Sequence, residues 1–416
     1  MHTIREGHVF AAAAVLSLPL AIVVPKSMAP LLAVAAVAIL AVRHLRGRPI
    51  PLGAIRLAAA AAAFIAYALL TAVWSRTPAH TAYAILPLAG ITIGGLVVLA
   101  SILRLDDDDR RIVAKGLFVA GVVGFSFLLF ERLTDIATLR WVWGMLGRPP
   151  IPIEHAPLHL NRAMTVAALM AWPWAAVALR WHSLRAGFAT LAIGCAVVLT
   201  ADATAPVAAI AMGVLVAIAA WIVPRLVPYA FGAALAVGVL MGPLIPGLFP
   251  HPLKESAKVA FMSNSAIHRL FIWRATADLI RERPILGYGF DTSRSFYGHN
   301  DTVPIQMRPD DPKRTYELNF EPIPLHPHNM VLQVWLELGA VGALFMLAVL
   351  LSIVVAIARS GLERVEKSLC FGFFASALVI AVVSFGAWQA WWLSALWLCG
   401  ALTAGAVLTP LRSRSA

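Results

Sequence analysis

The stretch His326-Pro-His-Asn-Met-Val-Leu-Gln-Val-Trp-Leu-Glu-Leu-Gly-Ala-Val-Gly342 closes the longest polar segment of the chain and continues in apolar residues as far as Ile357. An apolar run of that length is enough to cross a bilayer. Two imidazoles therefore stand where a water-facing loop becomes a membrane helix. Pro327 steers His326 toward an extended backbone, and Asn329 suits the N-cap of the helix that follows. At about 100° per residue counted from His328, Leu332, Trp335, Gly339 and Gly342 share one narrow face, with Glu337 on the opposite side. The two glycines leave space on the histidine's face for another backbone or for a bulky ligand.

Working outward, the rest of the chain has the same character. Of 416 residues, 60% are hydrophobic and 13% charged, and the mean hydropathy is +0.82. Soluble domains carry about a quarter charged residues, so a soluble globular protein is excluded. Apolar runs near 8–24, 28–42, 56–74, 81–103, 112–130, 162–180, 187–202, 205–222, 227–245, 330–357, 369–386 and 388–408 predict about twelve transmembrane helices. The fold class is an all-α polytopic membrane protein with one large, mostly helical loop. Its parts are 1–245 (about nine spans, with a short strap near 131–161), the loop 246–327, and 328–416 (about three spans). The first apolar run lacks a small-residue cleavage site and is read as a retained helix.

Basic residues gather in alternate connections, near 43–56, 104–115, 180–185, 225, 359–367 and 412–414, and the intervening short connections hold little beyond Lys26 and Arg76. The positive-inside rule then puts both termini in the cytoplasm, with 131–161 and 246–327 facing outward. The net charge of +12 is foremost this topology signal. Asp106–Asp109 falls on the cytoplasmic side beside Arg110 and Arg111 and reads as a solvated loop. Trp388, Trp391, Trp392 and Trp397 read as interfacial anchors. Cys195, Cys370 and Cys399 all lie in apolar runs, so no disulfide framework is implied.

The outward segments carry the chemistry. In the first, prolines 149, 150, 152 and 157 forbid a long helix, and Arg162 opens a span at the outer boundary, either snorkelling to headgroups or clamping a phosphate. His155 and His159 have helical metal-ligand spacing, but Pro157 lies between them and no further ligand is close in sequence. The large loop has ten Lys or Arg against nine Asp or Glu, so it is not a nucleic-acid surface. Its helical piece Ala266–Ile280 puts Arg269 and Trp273 on one face, with Arg274 alongside. Arg283-Pro-Ile-Leu-Gly287-Tyr-Gly289 follows, and its Gly-x-Gly has no βαβ context for a nucleotide.

Two of these motifs carry a resemblance. His328-Asn329, nine residues, Gly339, two residues, Gly342 is similar to the signature of the bacterial O-antigen ligase family, whose relatives include O-antigen polymerases and protein O-oligosaccharyltransferases. Arg269, Trp273 and Pro284-x-x-Gly287-x-Gly289 resemble a second motif of that family, in the right order. The resemblance covers mainly residues 155–345. It implies an enzyme of the bacterial inner membrane whose active site faces the periplasm. Such an enzyme transfers glycan from undecaprenyl diphosphate to the lipid A–core of lipopolysaccharide, with inversion and with no metal, cofactor or nucleotide. It also implies that His328 is the family's essential histidine, Arg269 its loop arginine and Arg162 an arginine near an outer helix end; His328 is expected to act as the base, and Arg162, Arg269 and Arg274 to bind the donor diphosphate. His326, Asn329, Trp273, Gly339 and Gly342 would support them. Many relatives carry Ser-Arg after a middle helix where this chain has Thr200-Ala-Asp202, which leaves the third phosphate-binding arginine open.

The residues on their own agree with that chemistry. An imidazole has a pKa near 6.5 and can take a proton from a hydroxyl, and arginine's planar fork suits phosphate oxygens. A polyprenyl diphosphate sugar would bring its own activation and reach the site along the bilayer. An O-antigen polymerase or a protein O-oligosaccharyltransferase would share the signature and differ in acceptor. A polyprenyl-lipid or sugar transporter would instead be expected to place ionisable groups near the bilayer midplane.

Overall fold

The computed structural model describes residues 4–50, 55–297, 301–307 and 316–410. Arg308, Lys313, Arg314, Arg412 and Arg414, which entered the charge reading, lie outside them. In chain order the helices are α1 (Glu6–Val23), α2 (Met28–Leu45), α3 (Ile55–Leu70), α4 (Pro78–Ile102), α5 (Asp107–Leu133), α6 (Ala137–Met145), α7 (Ala156–Trp181), α8 (Leu184–Leu199), α9 (Thr204–Ile222) and α10 (Val227–Leu240). The loop region holds α11 (Ser256–Val259), α12 (Asn264–Glu282) and the antiparallel strands β1 (Val303–Met307) and β2 (Tyr316–Phe320). The chain ends with α13 (Met330–Arg359), α14 (Arg364–Val383) and α15 (Ala390–Val407).

Every one of the twelve apolar runs is helical. Among the described residues nine helices are long and apolar enough to cross a membrane. Helix α10 and the 3-10 turn Gly242–Leu248 together are also long and apolar enough, but bend by 79° at the break between them, as a broken span or a re-entrant loop does. The two other runs form the shorter apolar helices α3 and α8. The protein is an all-helical, multi-pass membrane protein.

Helix α7 is the centre of the bundle. Every residue from Ala163 to Ala178 is buried, as befits a helix that is apolar all round. Its seven alanines in that interval let α1, α5, α8, α9, α14 and α15 approach closely. Because α7 is fixed on all sides, Arg162 at its start is held firmly. Arg180, near the other end, pairs with Glu366 at 2.9 Å and donates to the Thr409 carbonyl at 2.8 Å.

That far end of the bundle also collects Arg5, Glu6, Arg43, Arg48 and the aspartate cluster. Asp106, Asp107 and Asp108 are exposed, as a solvated segment would be, but Asp109 is fully buried. The Asp106 side chain caps α5 by accepting from the Asp109 amide at 2.9 Å, while Arg5 bridges Asp106, Asp108 and Asp109. Acidic groups at a helix N-terminus are stabilised by the helix dipole and here also by the neighbouring guanidinium. The tryptophans depart from expectation as well. Trp391 and Trp392 are buried, and Trp397 packs on Gly95, because α15 lies inside the bundle against α2, α4 and α7. In the strap, α6 precedes the prolines. The amides of Thr138 and Leu139 in its first turn are taken by the buried carboxylate of Glu131.

The loop between α10 and α13 is one long helix and a two-stranded hairpin. Isoleucines, leucine and phenylalanine of α12 (Ile267, Leu270, Phe271) meet Ile305, Met307 and Phe320 in a small core of their own. The hairpin was not legible although both strands alternate, with Val303, Ile305 and Met307 in one and Tyr316, Leu318 and Phe320 in the other, because each is only five residues long.

Candidate active site

His328 sits in a left-handed turn, φ +53°, immediately before the Asn329 cap, so it stands at the mouth of α13 rather than on its surface. Asn329 behaves as its sequence position suggests, accepting from the Leu332 amide at 3.1 Å. His328 Nδ1 lies 2.7 Å from the Ser384 carbonyl, which can only accept. Nδ1 therefore carries the hydrogen, and in the neutral ring Nε2 keeps its lone pair. Burial, followed by the charges of Arg269 and His268, lowers the His328 pKa against the opposing effect of the Ser384 bond. The ring is thus neutral at pH 7.

His326 packs on His328 with ring centroids 4.2 Å apart. Its Nδ1 faces the His328 amide at 3.2 Å and its Nε2 faces Gln389 Nε2 at 2.9 Å. Burial first, then the His328 ring and Arg294, push His326 down to about 3. Gln389 also accepts from Trp391 Nε1 at 3.0 Å, and the Arg162 guanidinium stands over the Trp391 ring, 5.5 Å from its centroid. Arg162, Trp391, Gln389, His326 and His328 thus form one continuous set, brought together from α7, the start of α15 and the His-Pro-His turn.

Helix α12 closes the other side. Trp273 donates to the Pro327 carbonyl at 3.1 Å and so fixes the His-Pro-His turn. One turn earlier on the same face, Arg269 is half-buried, and its charge bears on His328. Burial lowers its pKa from the ordinary guanidinium value, yet arginine stays charged throughout the physiological range. Among the described residues Arg269 has no hydrogen-bond or ion-pair partner. A cation left unpaired in a partly buried place is costly, and an anionic ligand would relieve that cost. Arg274 is different: its Nη2 donates to the carbonyls of Gly247 and Phe249, so it ties α12 to the bent end of α10 and is not among the charges that bear on either histidine.

The glycines act through backbone contacts. Gly339 has φ +62° and ψ −163°, which breaks the helical winding of α13. The angular count from His328 therefore ends at that residue. The Pro-x-x-Gly-x-Gly segment fills the break. Tyr288 and Gly289 amides donate to the carbonyls of Leu336 and Glu337 at 3.0 and 2.8 Å, and the Ala340 and Val341 amides donate to Pro284 and Ile285 at 2.8 and 3.3 Å. The Leu338 carbonyl takes the Tyr67 hydroxyl at 2.9 Å. Broken helices persist at membrane depth only where freed backbone groups find such partners. The space at Gly339 is thus taken by another backbone, and Gly342 lies against the Leu338 side chain.

Glu337 organises this region, although nothing in its spacing announced it. Fully buried, it accepts from the amides of Asp291 (2.7 Å) and Ser293 (3.3 Å), the Ser293 hydroxyl (2.5 Å), Gln333 (3.0 Å) and Trp388 (2.5 Å). Gln333 in turn accepts from the Ala387 amide at 2.8 Å. One carboxylate thereby locks the 291–293 turn and the α14–α15 connection, whose Ser384 carbonyl orients His328. Arg294, also unforeseen, pairs with Asp291 at 3.1 Å, and its charge bears on His326. Asp291 meets His80 at 2.8 Å. Among the described residues no group of three or more His, Cys, Asp or Glu side chains is arranged to hold a metal ion.

Among the described residues neither His328 Nε2 nor the Arg269 guanidinium has a hydrogen-bond partner, and the charge of Arg269 bears on the His328 ring. Across residues 188–347 the chain matches the O-antigen ligase family model. It is 33% identical over 186 residues to a protein of Rickettsia conorii and 32% identical over 185 residues to one of Rickettsia prowazekii, both described as candidate polysaccharide ligases. Each alignment covers 43% of this chain and 42% of the relative, so less than half of either relative is matched.

Proposed function

We propose that the protein joins a lipid-linked glycan to a lipopolysaccharide acceptor. Donor glycan would leave undecaprenyl diphosphate and arrive on lipid A–core at the periplasmic face of the bacterial inner membrane. The observation that carries this reading is His328: its Nδ1–H is spent on Ser384, its Nε2 is available, and Arg269 lies nearby without a partner. The acceptor hydroxyl approaches the anomeric carbon from the face opposite the diphosphate. As the new C–O bond forms, its proton passes to His328 Nε2, the glycosidic C–O bond to phosphate breaks, and undecaprenyl diphosphate departs. Arg269 and Arg162 offset the negative charge gathering on the departing oxygens. Arg294 is the third arginine of this set, held by Asp291. His326 stays neutral and shapes the turn. In support of the sidedness, the His328 end is opposite the end where Arg5, Arg43, Arg48 and Arg180 collect.

Arg269 and Arg274 separate this reading from a merely basic loop. Arg269→Gln should reduce glycan transfer by about 10²-fold, with the loss persisting at saturating acceptor. Arg274→Gln should leave the transfer rate per folded molecule within a few-fold of the parent and lower thermal stability instead. Both are read from purified protein given radiolabelled lipid-linked glycan and rough lipopolysaccharide. Equal transfer losses in the two variants would remove Arg269 from the site. Longer lipid-linked polymer as the sole product would favour a polymerase.

A further inference from the structure

A second pair of arginines, Arg76 of the α3–α4 connection and Arg283 of the large loop, serves none of the chemistry above. Arg283 places its guanidinium over the Tyr288 ring, 4.9 Å from the centroid, and Arg76 lies 4.5 Å over Phe296. The two rings touch edge to face, with centroids 4.9 Å apart, so the cations flank one aromatic step. Both side chains are exposed, and among the described residues neither forms an ion pair. The Glu282 carboxylate, beside Arg283 in sequence, accepts from the Tyr288 hydroxyl at 2.6 Å. Neither guanidinium is among the charges that bear on His326 or His328.

Beside them is a shallow hollow lined by Trp74, Arg283, Pro284, Ile285, Leu286 and Gly287. Its rim is apolar: Ile285 is 65% exposed, Leu286 46% and the adjoining Val73 80%. Trp74 donates to the Leu286 carbonyl at 3.3 Å, which joins the α3–α4 connection to the loop. The floor is rigid, because Pro284 and Ile285 are hydrogen-bonded to α13 at its break. Paired guanidiniums above exposed aliphatic side chains at a membrane boundary match an amphiphile with a phosphate head and a hydrocarbon body.

We propose that Arg76 and Arg283 bind the phosphate of a membrane lipid whose chain lies over Trp74, Ile285 and Leu286. This site is separate from the His328 site and does not depend on the reaction assigned there.

The test uses the full chain in phosphatidylcholine nanodiscs with a bimane label on Leu286→Cys. Brominated phosphatidic acid should quench the label at a mole fraction at least tenfold lower than brominated phosphatidylcholine. Arg76→Gln with Arg283→Gln should abolish that difference, Arg76→Lys with Arg283→Lys should retain most of it, and Arg162→Gln should leave it intact. Millimolar inorganic phosphate should not reverse the quenching. Equal quenching by the two lipids, an unchanged preference in the double glutamine variant that still elutes as a single species, or release by free phosphate would each overturn the proposal.

Discussion

Replacing His328 by alanine is expected to stop glycan reaching lipid A–core while the protein still inserts and accumulates. Removing a general base commonly slows a reaction by about 10² to 10⁴-fold, enough to erase the polymer ladder from cells whose own ligase has been deleted. The structural cost is small by comparison. The left-handed backbone at φ +53° strains histidine and alanine alike, by about 1–2 kcal/mol, so the exchange adds little there, and the lost Ser384 bond contributes about 1 kcal/mol. His328→Asn separates the two effects, because asparagine tolerates the left-handed region yet cannot serve as the base. Both variants should lose the ladder with near-parental protein in the membrane, checked by immunoblot of the same fractions. A ladder of ordinary intensity from His328→Asn would take the imidazole out of the mechanism.

The second large effect belongs to Gly339→Ala, and it falls on folding. The φ +62°, ψ −163° conformation is open essentially to glycine alone, and a Cβ there would enter the backbone of Ile285 and Leu286. Strain of about 1–3 kcal/mol would be joined by loss of several of the four backbone bonds between Pro284–Gly289 and α13, each contributing about 0.5–1.5 kcal/mol. That total is comparable to the whole stability of many proteins, about 5–15 kcal/mol. Gly339→Ala should therefore fail to give monodisperse protein in detergent, or should melt far below the parent. Gly90→Ala is the control, since nothing lies within 4 Å of its would-be Cβ, and it should behave as the parent. Normal melting of Gly339→Ala would mean that the break in α13 is not what anchors the loop.

What the sequence disclosed follows from what each signal measures. Hydropathy reports bilayer crossing, and all twelve apolar runs became helices, including the α10 run with its bend. Helical spacing correctly put Arg269 and Trp273 on one face of α12, because that pattern is local. The projection from His328 along α13 did not carry through, since the histidine lies before the helix and the winding breaks at Gly339. Gly339 and Pro284-x-x-Gly287-x-Gly289 read as separate motifs, although they are two halves of one backbone joint. Partners far apart in sequence were hidden altogether. Ser384, Gln389, Trp391 and Arg294 reach the histidines only when α13, α14 and α15 pack, and Glu337 shows its importance only once five donors converge on it. Tryptophans near a predicted helix end suggested lipid contact. Their true setting depends on α15 being interior, which composition does not encode.

The central claim is that a neutral imidazole at the outer end of α13 takes the acceptor's proton. It is tested most directly by the pH dependence of transfer with purified protein, undecaprenyl diphosphate-linked glycan and rough lipopolysaccharide, in chelator and without nucleotide. Burial lowers the His328 pKa from the ordinary histidine value of about 6.5, so the base form predominates at pH 7 and is lost on acidification. The rate should be flat between about pH 7 and 8 and fall with a midpoint below about 6.5, and His328→Asn should be slower by at least about 10²-fold with that acid limb gone. An acid limb unchanged in His328→Asn, or transfer as fast as the parent's, would contradict the account.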